Sequence, residues 1–361
     1  MRESWARLHG QQALPTMFLS ATWVDCWLSV YGVTLQPSLW VLSRENEVIG
    51  AALLVRRTER RGPFRLRCIH LNTAGEGDDS VTTEHNTVLA KPGCQDVVWR
   101  ELGTALRTLE WDEFRIEGGT EEAAERLGQL FPLWRMQMRR LPSPFVPLDA
   151  VRAQAGGFLA LVSANTRAQL RRATRAAETT GPLELDEAIT PPSRSTVWAE
   201  LEALHTRRWG EEGKPGVFSH ARWRRFHEHL LAQAPRNTRL FRLRVGGETV
   251  AAAYLLQHGN HVAFYQSGVQ HGASHSHTKH GLILHAQIVD RLTTENLAEY
   301  DYLASDEVAV RYKRSLAIAE RSMYWGATIR PTWRSRAVGV LRSVRRWLSS
   351  KSGGTSSAIG G

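Results

Sequence analysis

Apolar and polar positions alternate with period two in short runs and recur every three to four residues in longer ones, so strands and amphipathic helices are both expected. The strongest pattern is internal. Residues 39–54, LWVLSRENEVIGAALL, lie over residues 240–255, LFRLRVGGETVAAAYL, at a constant offset of 201 with six identities in sixteen positions. Each copy reads as strand, tight turn, strand, with apolar flanks converging on Arg44-Glu45-Asn46-Glu47 and on Val245-Gly246-Gly247-Glu248. The surroundings repeat too. A helix is predicted before each hairpin (18–32; 221–233), then a strand after it (65–71; 261–268), a helix (95–109; 281–294) and a closing strand (113–118; 299–304).

Hairpins inside two αβ units predict a mixed α/β fold built from two tandem units with largely antiparallel sheets, and exclude a doubly wound parallel sheet. The segment LPSPFVPLD at 141–149 is expected to be extended, because each proline biases its predecessor away from helix. It sets the expected division: a first unit at 1–148, a second at 149–329 and a tail at 330–361. Residues 156–178 read as helix interrupted near Ser163-Ala164-Asn165, with Ser163 or Asn165 as cap, and 196–212 as a further helix.

Composition changes this picture little. With 42% apolar and 23% charged residues in 361, the chain can bury a sizeable core. Thirteen tryptophans suit cleft walls as well as cores. Of the net charge of +10, seven units fall in the acid-free stretch from Arg330 onward, so no nucleic-acid partner is expected of the body. Cys26, Cys68 and Cys94 are too scattered for a disulfide framework or a CxxC metal knuckle. No signal peptide and no run of about 18 apolar residues is visible, so a cytoplasmic location is expected, with room for a place at the inner face of the membrane.

Several short motifs, in order, resemble one family. They are Asn165-Thr166-Arg167-Ala168-Gln169-Leu170-Arg171-Arg172, Leu204-His205-Thr206-Arg207-Arg208-Trp209, the hairpin VGGETVAAAYLL, HTKHGLILHAQIVDRL, Tyr300-Asp301-Tyr302-Leu303 and Tyr312-Lys313. Together they resemble the FemAB-like, GNAT-related acyltransferases, in particular the CelD-type acetyltransferase-like proteins of bacterial exopolysaccharide biosynthesis. The resemblance runs from about residue 17 to 326. It implies acetyl-CoA or another acyl-CoA as co-substrate, bound by the second unit where two strands splay apart. The pyrophosphate would meet the start of the following helix, whose free N–H groups attract anions. The positions implied for the donor are Tyr265, Gln266 and Ser267 on the strand, and Thr278, Lys279, His280 and Gly281 in the loop. The usual GNAT phosphate signature, Q/R-x-x-G-x-G/A, does not occur in the second unit.

Acyl transfer needs a base, donors aimed at a developing oxyanion, and charge or a proton for the departing thiolate. Asp301 alternates with Tyr300 and Tyr302 on a short strand, so its carboxylate faces away from their rings and is the first candidate for base; His205 is the second. Lys313 and Tyr312 are candidates for fixing an anion or protonating the thiolate. Arg167 and Arg171 on the basic helix, with Trp209, are candidates for contact with the acceptor, expected to be a sugar or cell-envelope precursor. The tract His271, His275, His277, His280, His285 lacks a defined ligand spacing, and no metal is expected. A non-catalytic protein of the same fold, supporting a membrane polysaccharide synthase, is the alternative. The tail WRSRAVGVLRSVRRWLSS places Ala337, Val340 or Leu341, Val344 and Leu348 on one stripe of a basic amphipathic helix. Such a helix can lie on anionic lipid over 331–350 or dock on its own protein.

Overall fold

The computed structural model describes residues 1–270 and 279–352. In chain order its strands are β1 (Ser38–Arg44), β2 (Glu47–Arg61), β3 (Phe64–Leu71), β4 (Leu89–Ala90), β5 (Glu113–Gly119) and β6 (Arg135–Pro147). The second half adds β7 (Leu183–Glu187), β8 (Thr238–Val245), β9 (Glu248–His258), β10 (His261–Val269), β11 (Glu299–Asp301) and β12 (Ala319–Ile329). Among the described residues these form one mixed sheet, in the order β1-β2-β3-β5-β12-β6-β11-β10-β9-β8-β7, with β4 beside β2.

Both repeated hairpins form. The first turns at Glu45 and Asn46, with φ of 50° and 66°, the second at Gly246 and Gly247, with φ of 58° and 89°. Two left-handed residues in a row make the turn whose twist matches that of the strands it joins. Each hairpin also carries a bulge at the same repeat position: Ile49 is passed over in the β1–β2 register, and Val250 in the β8–β9 register.

The two units exchange their last strands. β12, from the second half, lies against β5 of the first, while β6, from the first half, lies against β11 of the second. β6 and β12 pair with each other from Phe145–Ala319 to Arg135–Ile329. The proline-rich segment is thus extended as expected, but it is a central strand rather than a bare connector. Its prolines fit because their missing donors fall where no ladder bond is due. The carbonyls of Pro144 and Pro142 accept from the amides of Tyr302 and Ser305, beyond the end of β11. Pro147 lies past the last β12 partner, Ala319.

Helices cover both faces. Along β9, Ala251, Ala253 and Leu255 join a core with Leu170, Ile283 and Tyr300. The alternate Ala252, Tyr254 and Leu256 join one that also takes Trp23 and Trp27 from the first unit. The helix Ala164–Glu178 is capped by Ser163, whose side chain accepts from the Thr166 amide. The helix Pro191–Glu211 starts with a capping box between Thr190 and Ser193. In the tail helix Trp333–Ser352, Val338 is buried against Leu66 and Cys68. Val338 joins the docked side; of the two alternatives for the predicted stripe, Leu341 is half-buried and Val340 is 65% exposed. The side chains of Val344 and Leu348 lie outside the described residues.

Candidate functional site

β10 and β11 run parallel but pair only over His261–Ala263 with Glu299–Asp301. Beyond that the chain leaves β11 at Leu303, with φ of 59°, and β10 continues to Val269, so a gap opens between Phe264–Val269 and Tyr302–Ser305. The strand expected at 299–304 is shortened for a local reason: Asp301 Oδ1 accepts the Leu303 amide at 2.8 Å and turns the backbone. On its other side β10 carries a bulge, with Tyr265 passed over between Phe264 and Gln266 in the β9 register. A bulge re-aims backbone groups out of the ladder, and this one falls within the stretch implied for the acyl donor. The Gln266 side chain accepts the Ser267 amide at 2.9 Å.

The first unit has the same splay but no opening. β3 and β5 pair only over Cys68–His70 with Glu113–Arg115, and β3 keeps an unbroken register with β2. The gap there is filled by Asn86, whose side chain donates to the carbonyls of Leu71 and Glu117 at 3.0 and 3.1 Å, and by Asn72, which bonds Asn86 and the Leu53 amide. The loop that fills the first gap carries Glu84 and His85 on to the second.

Lys313 stands at the second gap. Its Nζ donates to the carbonyl of Tyr302 and, at 3.1 Å, to that of Leu303, and lies 5.9 Å from the centre of the Phe264 ring. Burial lowers its pKa below that of an ordinary lysine, against the pull of Glu84 and Asp301. Glu84, 1% exposed, accepts the Ala304 amide on both oxygens, at 3.1 and 3.0 Å. Burial, then the nearby Asp301 charge, raises the Glu84 pKa. An ammonium and a carboxyl, each pushed toward its neutral form, therefore face one another across the two halves of the chain.

Asp301 does point away from Tyr300 and Tyr302, but it is fully buried. Its Oδ2 meets His85 Nε2 at 2.9 Å and His261 Nε2 at 3.3 Å, while Oδ1 accepts from Ser143 Oγ at 3.2 Å as well as from Leu303. Burial pushes its pKa up, yet hydrogen bonds from His261 and His85 outweigh this and hold the carboxyl well below its usual range. A carboxylate saturated with donors and closed off from solvent is a poor base, which corrects the first assignment. His205, also buried, keeps Nδ1 without a hydrogen-bond partner, and burial lowers its pKa to about 4, so it is neutral at pH 7. Its helix packs on β10 so closely that a Cβ on Gly268 would lie 2.9 Å from the His205 amide nitrogen.

At the far end of the gap the helix His280–Thr293 starts from Lys279, in left-handed conformation with φ of 44°. Lys279 Nζ donates to Gln169 on the basic helix at 2.7 Å. A Cβ on Gly281 would lie 3.0 Å from Tyr312 Oη, so those two predicted residues are in contact. His280 is buried. Thr278 lies outside the described residues, as do His271, His275 and His277. His285 is held inside the core by Tyr300 Oη at 2.9 Å. Arg167 bonds back to the Leu159 carbonyl at 2.8 Å, and Arg171 is exposed. Trp209 is half-buried, 5.8 Å from the His205 ring, with Lys214 Nζ 5.1 Å over its face.

Glu84, His85, His261 and Ser143 escaped sequence reasoning. His85 and Asp301 are 216 residues apart, and the only local sign was a polar Thr-Glu-His-Asn run in a region with no period.

Residues 164–314 match the acetyltransferase (GNAT) domain family. No curated protein matches the chain in sequence. Among solved structures, FemX superposes with a TM-score of 0.59 at 9% identity, over 89% of this chain and 95% of its own. A Bacteroides thetaiotaomicron protein of unknown function gives 0.59 at 10% identity, over 91% and 98%. The C-terminal domain of a protein named as a lysylphosphatidylglycerol synthetase, from Agrobacterium fabrum, gives 0.54 at 10% identity, over 93% and 94%. At these identities the likeness is one of fold.

Proposed function

We propose that this chain, which carries a GNAT acetyltransferase domain over residues 164–314 within a FemX-like fold, transfers an acyl group from a coenzyme A thioester to an amine or hydroxyl of a sugar or cell-envelope precursor. Acetyl-CoA is the first donor to test. The observation that carries the reading is the splayed strand pair of the second unit, bulged at Tyr265, where the first unit's counterpart is unbulged and filled by two asparagines, with the Lys313 ammonium beside the splay. The acceptor attacks the thioester carbonyl, a new C–N or C–O bond forms and the C–S bond breaks. Amides freed at the Tyr265 bulge would hold the oxyanion, and Lys313 would pair with the departing thiolate. Thiols ionise near pH 8.5, so this last demand is modest. The proton lost by the acceptor would leave to solvent, because His205, like Asp301, is buried and too weakly basic to take it. Lys279 and the amides at Gly281 would meet the pyrophosphate. The envelope acceptor draws support from the name of one structural neighbour, a lysylphosphatidylglycerol synthetase.

Calorimetric titration with acetyl-CoA tests the reading: saturable binding is expected, and Gly281→Glu should abolish it. One observation favours the second reading, a non-catalytic protein supporting a polysaccharide synthase. The usual GNAT phosphate signature does not occur in the second unit, where the donor would bind. Absence of heat with acetyl-CoA would select it. No helix among the described residues is long and apolar enough to cross a membrane. Contact with the inner membrane face is proposed through the tail, where Trp333 is 66% exposed among arginines.

A further inference from the structure

The groups around Asp301 do more than hold one another. Glu299 and Asp301, two apart on β11, share a face, and His261 is the β10 residue in register with Glu299. His85 approaches from the first unit. Each carboxylate divides its oxygens in the same way. The outer oxygen of Asp301 is held by Ser143 and the Leu303 amide, and that of Glu299 by Arg321 at 2.7 Å. The inner oxygens, Asp301 Oδ2 and Glu299 Oε1, both turn to His261 Nε2, at 3.3 Å each. One imidazole N–H cannot serve two oxygens, and Glu299 Oε1 is left buried without a hydrogen-bond partner. The ligating atoms of His85, His261 and Asp301 lie within 4.8 Å of one another, and all three residues are buried.

We propose that His85, His261 and Asp301 form a buried site for one divalent transition-metal ion, zinc by its ligand chemistry, which ties the first unit's loop to β10 and β11 of the second, with Glu299 placed to supply a fourth ligand by a turn of its side chain. Zinc accepts nitrogen and oxygen ligands at about 2.0–2.2 Å in a tetrahedron, whose edges are then about 3.3 Å. The separations of Asp301 Oδ2 from the two imidazole nitrogens, 2.9 and 3.3 Å, are of that size, and Glu299 Oε1 lies 3.3 Å from His261 Nε2. A cation there would meet Asp301 Oδ2 directly and draw in Glu299 Oε1 by a turn of its side chain, and its charge would be balanced by the two carboxylates with neutral imidazoles. The outer hydrogen bonds are those that orient ligating carboxylates in metal sites. Three buried protein ligands, with Glu299 turning in as the fourth, leave no position for a substrate, so the ion would be structural and would take no part in acyl transfer.

The test uses the full chain with His271, His275 and His277 changed to Ala, so that the histidine-rich segment does not mask the result. After treatment with a chelator, zinc is titrated against a chromophoric competitor, and cobalt(II) is added to a parallel sample. Uptake of about one equivalent, a higher melting temperature with zinc and a tetrahedral cobalt spectrum are expected. Glu299→Gln, which keeps shape and size, should weaken zinc binding at least about tenfold, and His85→Ala should abolish it in protein that circular dichroism shows to be folded. If His85→Ala does not fold, Glu299→Gln decides. No zinc uptake above one-tenth of an equivalent, or uptake that Glu299→Gln leaves unchanged, overturns the site. Acetyl-CoA binding is measured alongside, so failure of the metal site is told apart from failure of the transferase reading.

Discussion

Lys313 is the residue on which the chemistry most depends, because it is the cation whose position at the gap is fixed by two main-chain carbonyls. Lys313→Ala should lower the rate of coenzyme A release from acetyl-CoA in the presence of acceptor by about 10²–10³, in line with loss of one charged donor at an acyl-transfer centre. Donor affinity should change far less. Initial-rate kinetics separate the two effects. A second residue, Glu76, lies in the aromatic core between the units, 5% exposed, with the Trp27 indole donating to Oε1 and nothing meeting Oε2. Burial raises its pKa from 4.5 to about 7, the Trp27 bond opposing this. The folded state thus holds a proton that the unfolded chain releases, so stability is fully present below pH 4.5 and falls as pH rises through 7. Denaturant titrations across that window should show Glu76→Gln gaining on the natural protein by about 3 kcal/mol toward the alkaline end. Equal pH slopes for the two proteins would contradict this. Neither Glu76 nor Glu84 was legible in the sequence, because a carboxyl's burial is decided by contacts far along the chain.

At the scale of elements, much was legible. The hairpins, the flanking helices and the Ser163 cap follow from period, turn chemistry and repetition, which are local properties. The extent of β11 was not, since its end is set by the Asp301 side chain returning to its own backbone. Gly118 shows how tightly the loop that fills the first gap is held: φ is +63°, and a Cβ there would stand 2.0 Å from the Thr83 carbonyl oxygen. Gly118→Ala must displace the loop that carries Glu84 and His85. It should cost more than about 2 kcal/mol in stability and weaken the donor site as well, read by denaturation and by acetyl-CoA titration. The tail helix divides its duties, with Val338 docked and Trp333 outward. A chain ending at Thr332 keeps β12 whole, and it should float less with anionic liposomes than the full chain; equal flotation would remove the lipid role.

For the molecule as a whole, the duplication was visible but the exchange of last strands was not, because pairing of β12 with β5 joins residues about two hundred positions apart. Expressed alone, residues 149–361 lack the neighbour that β11 needs, and residues 1–148 lack the one that β5 needs. Each piece should be insoluble or only partly ordered, and co-expression of the two should restore a soluble complex with acetyl-CoA affinity close to that of the intact chain. Independent folding of either piece would show that β6 and β12 contribute little. The same topology governs the protein during its synthesis. The edge of β5 stays unpaired from the moment it leaves the ribosome until residue 329 has been added, so the nascent chain carries an open β-edge through most of translation and must be shielded from its neighbours until the final hairpin-like pair slots in.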